Sequence, residues 1–156
     1  MALTTVMPTS AKLAFLRGEH AAGDTYKMAL VKVGHGGTYD KLVTAAGTPG
    51  TGAPTTSNLG TDEASGAGYT TGGFTMTGYA TGSDTGTNTA WIDWTTDPNW
   101  TTATISAVGA MIYNDTDAGK PVVSLHDFGG TVSSTAGTFT VTLPAAAAAT
   151  AVVRIA

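Results

Sequence analysis

The side chains of this 156-residue chain that could do chemistry are few and scattered. Asp62 and Glu63 are adjacent carboxylates, but adjacency does not supply the separation that a glycosidase acid and nucleophile require. Asn114, Asp115 and Asp117 could offer oxygens to Ca²⁺, yet the hand-loop spacing and its closing Glu are missing. A solvated hairpin tip is the expectation there. The histidines His20, His35 and His126 are far apart, with no HExxH and no close pair to hold a metal. Ser133 and Ser134 have no GxSxG elbow around them. The letters DFG occur at Asp127-Phe128-Gly129, but a kinase also needs a Gly-rich loop, a strand Lys and an HRD loop, and none is present. His126 and Asp127 would point to opposite faces of a strand, so they make no dyad. GTPGTG (47–52) and GAGYTTGG (66–73) lack the Lys-Ser/Thr and following helix of a phosphate loop. No catalytic, cofactor or metal residue is therefore nominated, and an enzyme is not expected.

The aromatics draw more interest. Trp91, Trp94 and Trp100 fall within ten positions of each other. Trp91 and Trp94 would lie on opposite faces of one strand, so both cannot enter the same core. One of them is expected under the long loop or in a subunit contact, where Trp is enriched.

Composition narrows the frame that must hold these residues. Hydrophobic residues make up 42% and charged ones 12%, with 21 Gly and no Cys. That is not the charge-rich, apolar-poor composition of a disordered chain. Thr, the commonest residue, is β-branched and favours strands, and Gly supplies turns, so long helices are not expected. The length fits one domain with its own core. Without Cys there is no disulfide and no thiolate chemistry. The net charge is −4 and the seven basic residues are dispersed; a nucleic-acid partner would require a basic patch. No stretch approaches the roughly 20 apolar residues of a membrane helix. The start of the chain has no basic n-region ahead of an apolar run. The expectation is a soluble protein made in a cytosol.

The organising stretch runs from Trp100 to Phe128. Two apolar runs, Ile105–Tyr113 and Val122–Phe128, flank the turn-rich link NDTDAGKP, which predicts a β-hairpin with a long loop. A change of inward phase between Ile105 and Val108, near Gly109, predicts a bulge. Residues 1–9, with Leu3, Val6 and Met7, read as an apolar arm, held by a partner or by its own domain. Ser10 to Arg17 reads as a short helix, with Ser10 as N-cap, Leu13 and Leu16 on one face and Gly18 as the stop; a short strand competes with it. Tyr26–Val33 reads as a strand with Tyr26, Met28 and Leu30 facing one way. Residues 44–68 read as a long Gly/Thr-rich loop that anchors no core and lies across a surface. Further strands are expected at Phe74–Ala80, Trp91–Trp94, Phe139–Leu143 and Val152–Ile155, with a turn at Gly129-Gly130. The run Ala145–Ala149 is a helical turn or a loop. About eight short strands predict one all-β domain over 10–156, an antiparallel β-sandwich or barrel.

The order of these elements resembles a family of small virion proteins of tailed bacteriophages. The resemblance rests on AKLAFLRGE followed by TYKMALV, on SGAGYTTGGFTM and WIDW, then on NWTTATISAVGAMIYN, PVVSLHDFGGTVSSTAGTFTVTLP and a terminal VVRIA. It covers most of the chain from Ala11 onward. It implies a β-sandwich on a phage head or in a tail or fibre assembly, and it transfers no catalytic residue. The expectation is a decoration or cement protein on the outer capsid surface, assembled in the bacterial host cytoplasm. It would bridge capsomers by binding the major capsid protein or other virion proteins, and would form a dimer or trimer. Many copies on a lattice give avidity from modest contacts. Leu3, Val6, Met7, Trp91, Trp94 and Trp100 are the nominated interface residues. The alternative is a head-fibre, tail or baseplate component that attaches or displays a receptor-binding protein.

Overall fold

The computed structural model describes residues 2–156. It contains one α-helix, α1 (Thr9–Arg17), and seven strands: β1 (Tyr26–Lys32), β2 (Phe74–Thr75), β3 (Tyr79–Asp84), β4 (Thr89–Trp94), β5 (Asn99–Asn114), β6 (Val122–Thr140) and β7 (Val153–Ile155). A 3₁₀ turn spans Gly60–Asp62. The strands form two antiparallel sheets, one ordered β2-β1-β5-β6 and one ordered β3-β4-β7. The chain is thus an all-β sandwich. Among the described residues no helix is long and apolar enough to cross a membrane.

The β5–β6 hairpin is the spine. Its loop is the Asn/Asp/Gly/Pro link, and its arms run well beyond the apolar runs at their base. The bulge lies where the phase change puts it: the β5–β6 register shifts between Ala107 and Gly109, and the facing β1–β5 ladder shifts at Val31/Lys32. Tyr26, Met28, Leu30, Ile105, Ala110 and Ile112 face the second sheet and meet Trp94 and Val153 in the sandwich core. The opposite face of β1 is equally buried. Ala29 and Val31 join Met111, Tyr113 and Leu125 in a second core, closed from outside by Tyr39, Val43, Ala46 and Leu59. The sheet is therefore covered on both faces at β1 and the adjoining parts of β5 and β6, and β1 carries the apolar run MALV for that reason.

Several expectations need correction. The long loop does anchor a core, through the buried Ala46, Leu59 and Ala64. It is tied down by bridges from Ala45 to Pro121, Glu63 to Val31 and Ala67 to Thr104. The single strand expected at 74–80 is two. β2 pairs with β1 while β3 pairs with β4, and Gly78, at φ +73, turns the chain from one sheet to the other. Gly129-Gly130 does not end the strand: it lies in a bulge, with Gly129 at φ +74, and β6 continues beyond it to Thr140. Val141 and Leu143 lie past the end of β6 and pack on the sandwich core without belonging to a strand. The helix is entered from Pro8, and Ser10 is not its cap; its hydroxyl donates to the Val43 carbonyl at 2.8 Å. Gly18 does stop it, at φ +72. Leu13 and Leu16 share a face, but that face is exposed, and α1 buries Ala11 and Ala14 instead.

Candidate functional site

The nominated arm residues are engaged by their own domain. Leu3 bridges Tyr39, with Thr4 N–H donating to the Tyr39 carbonyl at 3.0 Å and Tyr39 N–H to the Ala2 carbonyl at 2.9 Å. Val6 and Leu125 exchange both backbone bonds, at 3.0 and 2.9 Å. Leu3 and Val6 pack against the outer core and Met7 against the sandwich core. Thr5 Oγ1 accepts from the Asp127 N–H at 2.9 Å. The arm thus adds itself to the start of the β6 edge, and a partner strand is not needed to hold it.

Trp94 and Trp100 are also placed differently from the interface expectation. Both are buried in the sandwich core. The Trp94 ring meets the edges of Tyr26 and Tyr79. Trp100 stacks on Tyr69 and meets Phe74 and Phe139 edge to face. Trp91, on the other face of β4, is half-buried and lies over Gly82, where any Cβ would collide with the ring. It is the one tryptophan left at the surface.

The chemistry-bearing side chains do not converge. Asp62 turns one way and accepts from Gly36 N–H at 2.9 Å, Gly37 N–H at 2.6 Å and Tyr39 O–H at 2.8 Å, with Lys32 Nζ at 3.5 Å. Glu63 turns the other way, accepting from Tyr69 O–H at 2.8 Å and Gly72 N–H at 2.7 Å. These neighbours serve two separate loop closures. Asp115 is clamped between Lys27, at 2.7 Å, and Lys120. Asn114 is buried and donates to the Glu19 carbonyl and to Asp24. The hairpin base is therefore a hydrogen-bonded knot, and the expected solvated tip is confined to the exposed residues 116–119. Ser133 and Ser106 share a hydroxyl–hydroxyl bond of 2.7 Å. His20 is wedged between Phe15 and Tyr26. His35 Nδ1 contacts the Gly37 carbonyl, and His126 Nε2 contacts Ser124 Oγ at 2.9 Å. Burial lowers the His126 pKa to about 4, so its ring is neutral near pH 7. Among the described residues no group of three His, Asp or Glu is placed to hold a metal ion.

The feature that stands apart is the outer edge of β6. The arm covers it at Leu125 and Asp127. Beyond that point, from Gly130 to Thr138, the backbone bonds of β6 run to β5 alone among the described residues. Residues 129–133, 135 and 136 are exposed. No charged residue occurs between Asp127 and Arg154. Natural sheet edges are normally blunted by charge, Pro or bulges. This one has bulges alone. Four β6 residues, 128–131, oppose Val108, and two, 135 and 136, oppose Thr104. The bulges divide the edge into short lengths, which hinders long flat self-pairing but leaves room for a short added strand. Sequence reading missed this edge because Gly129-Gly130 looked like a turn. The signal was the charge-free, Thr/Val/Ser-rich run that follows it.

An apolar cleft of about 320 Å³ opens beside that edge, between the two sheets. Phe128, Val132 and Phe139 of β6 line it with Val141, Leu143 and Val152, and Met28, His126, Thr140 and Thr142 also reach it. Comparison of the chain with protein-family models, with curated proteins and with solved structures returned no match.

Proposed function

We propose that this chain is a non-enzymatic structural subunit of a tailed-phage virion, a decoration or cement protein that bridges capsomers on the outer head surface. The observation that carries the reading is the uncharged, unpaired edge of β6. Exposed strand edges recruit strands, and main-chain hydrogen bonds supply affinity in such additions. A Thr/Ser/Gly edge costs little to desolvate, since no charge must leave water. Of the two holders open to the arm, its own domain takes residues 2–7, which seal the first part of the edge, and the partner strand takes the remainder. The net charge of −4 suits the outside of a shell, away from packaged DNA. A fibre or baseplate role draws on one separate observation, the half-exposed Trp91 ring lying over Gly82.

Purified protein mixed with shells that lack it should bind at hundreds of sites per particle. Saturation at a few sites would move it to a fibre or baseplate. Thr131→Lys combined with Thr135→Lys places two charges on the exposed edge. The double variant should keep the wild-type melting temperature and lose at least about tenfold in shell affinity, because a pairing strand would have to desolvate them. Undiminished binding would remove the β6 edge from the contact.

A further inference from the structure

The edge and the cleft are neighbours, and both are built from β6. We propose that the cleft beneath Phe128 and Val132 receives one bulky apolar side chain, aromatic or branched aliphatic, from the extended capsid segment that pairs with β6. This deepens the reading above and rests on it for the identity of the partner.

Strand addition sets side chains alternately into and away from the receiving sheet. His126 and Phe128 follow Ser124 along β6, and Ser124 pairs with Ile112 and His126 with Ala110, both of which lie in the sandwich core. The cleft therefore lies on the inter-sheet side of β6. A strand laid along the free edge would direct every second side chain toward that side. The cavity, about 320 Å³, is at the small end of ligand sites, which run from about 300 to 1,000 Å³. That is room for one large side chain; a second cavity that shares His126, Pro144 and Val152 adjoins it on the side of Thr5 and Met7. No charged residue lines it, and the one titratable ring at its margin, His126, is uncharged near pH 7. An acidic or basic side chain would enter without a counter-ion, whereas an apolar one loses nothing polar. Unpaired backbone specifies a strand, and the lining specifies which residue that strand carries.

The pocket can be tested without the shell. N-acetyl-phenylalanine amide, a mimic of one aromatic residue with its flanking peptide groups, would be titrated into methyl-labelled protein and followed by NMR. Saturable shifts should be confined to Val132, Val141, Leu143 and Val152. Val132→Trp, at a position already 43% exposed, should fill the mouth and abolish them. The same variant should weaken shell binding by at least about tenfold, as loss of a buried anchor does at other interfaces. Absence of saturable shifts in the wild type overturns the pocket, whatever the shell result. Loss of the shifts in Val132→Trp with unchanged shell affinity overturns its use by the partner. If Val132→Trp instead converts an oligomer to a monomer in solution, the occupant is a second copy of this chain and the capsid assignment fails. A wild type that takes the amide but binds no shell would sink the virion reading and leave the pocket standing.

Discussion

Replacing Trp100 with alanine should lower the stability of the fold by about 3–5 kcal/mol, the usual cost of truncating a large buried aromatic. Trp100 is 5% exposed and packs against three rings on three different parts of the chain: Tyr69 at 5.5 Å, Phe74 at 5.8 Å and Phe139 at 6.0 Å between centroids. Tyr69 lies just after the long loop, Phe74 is in β2 and Phe139 is near the end of β6. Removing the indole unties all three at once. It leaves a void at the far end of the hairpin, where β1 no longer runs alongside β5. Collapse into that void is hindered because Tyr69 is fixed at its hydroxyl, which donates to Glu63 and accepts from Leu30 N–H. A drop in melting temperature of about 10 °C or more should accompany the change. Trp91→Ala, at the half-exposed site over Gly82, is the control and should cost far less. Urea unfolding of the three proteins separates the cases. A Trp100→Ala protein as stable as wild type but defective in shell binding would return Trp100 to the interface for which it was nominated.

That misplacement shows what local sequence can and cannot specify. Alternation fixes the relative phase of Trp91 and Trp94, and the two do point oppositely. It does not say which phase faces the second sheet; Ile92, sharing the Trp94 phase and packed on the core, was the available clue. The hairpin and its bulge near Gly109 were legible because both are local, set by turn residues and by a slip in a period of two. β1 was legible as a strand but half-read, since only the phase of Tyr26, Met28 and Leu30 was expected to be buried. The second core beneath Ala29 and Val31 is roofed by residues 39–59, and small residues in that stretch concealed how thoroughly Leu59 and Ala46 are enclosed. Gly78 and Gly129 share the left-handed φ, yet one turns the chain between sheets and the other sits in a bulge after which β6 resumes its pairing with β5; tertiary pairing decides between them. The open edge was least legible of all, because it is defined by which strand fails to find a neighbour, a property of the whole sheet.

The neighbouring carboxylates should respond oppositely to pH, and removing the first should itself destabilise the loop that it closes. Asp62→Ala removes the acceptor of the Gly36 and Gly37 N–H groups and the shorter of the two acceptors of the Tyr39 hydroxyl, which keeps only the Leu59 carbonyl at 3.4 Å. Gly36 is exposed and Gly37 half-buried, so water replaces much of those two bonds, and the loss expected, chiefly at the buried Tyr39 hydroxyl, is about 1–3 kcal/mol. Burial alone would raise the Asp62 pKa. The two N–H donors, the Tyr39 hydroxyl and Lys32 outweigh it and hold the carboxyl below its usual range. Its stabilisation is therefore complete above the ordinary Asp pKa and disappears as pH falls through the lower folded value. Glu63 is the reverse case. Burial dominates, the bonds from Tyr69 and Gly72 and the charge of Lys27 only partly oppose it, and the pKa is raised. One of its oxygens, Oε2, is buried with no hydrogen-bond partner among the described residues. A raised carboxyl favours the fold most below the ordinary Glu pKa, and that contribution is lost as pH rises through the folded value. His20 and His126, both lowered by burial, lose stabilisation in acid as well, so the readout must be a difference between proteins. Wild type minus Glu63→Gln should improve on acidification from neutral pH toward the ordinary carboxylate range. Wild type minus Asp62→Asn should shrink as pH falls below that range. Two parallel differences, rather than opposed ones, would mean that the loop 44–68 does not enclose these residues as drawn, and the roof over the second core would have to be rebuilt with it.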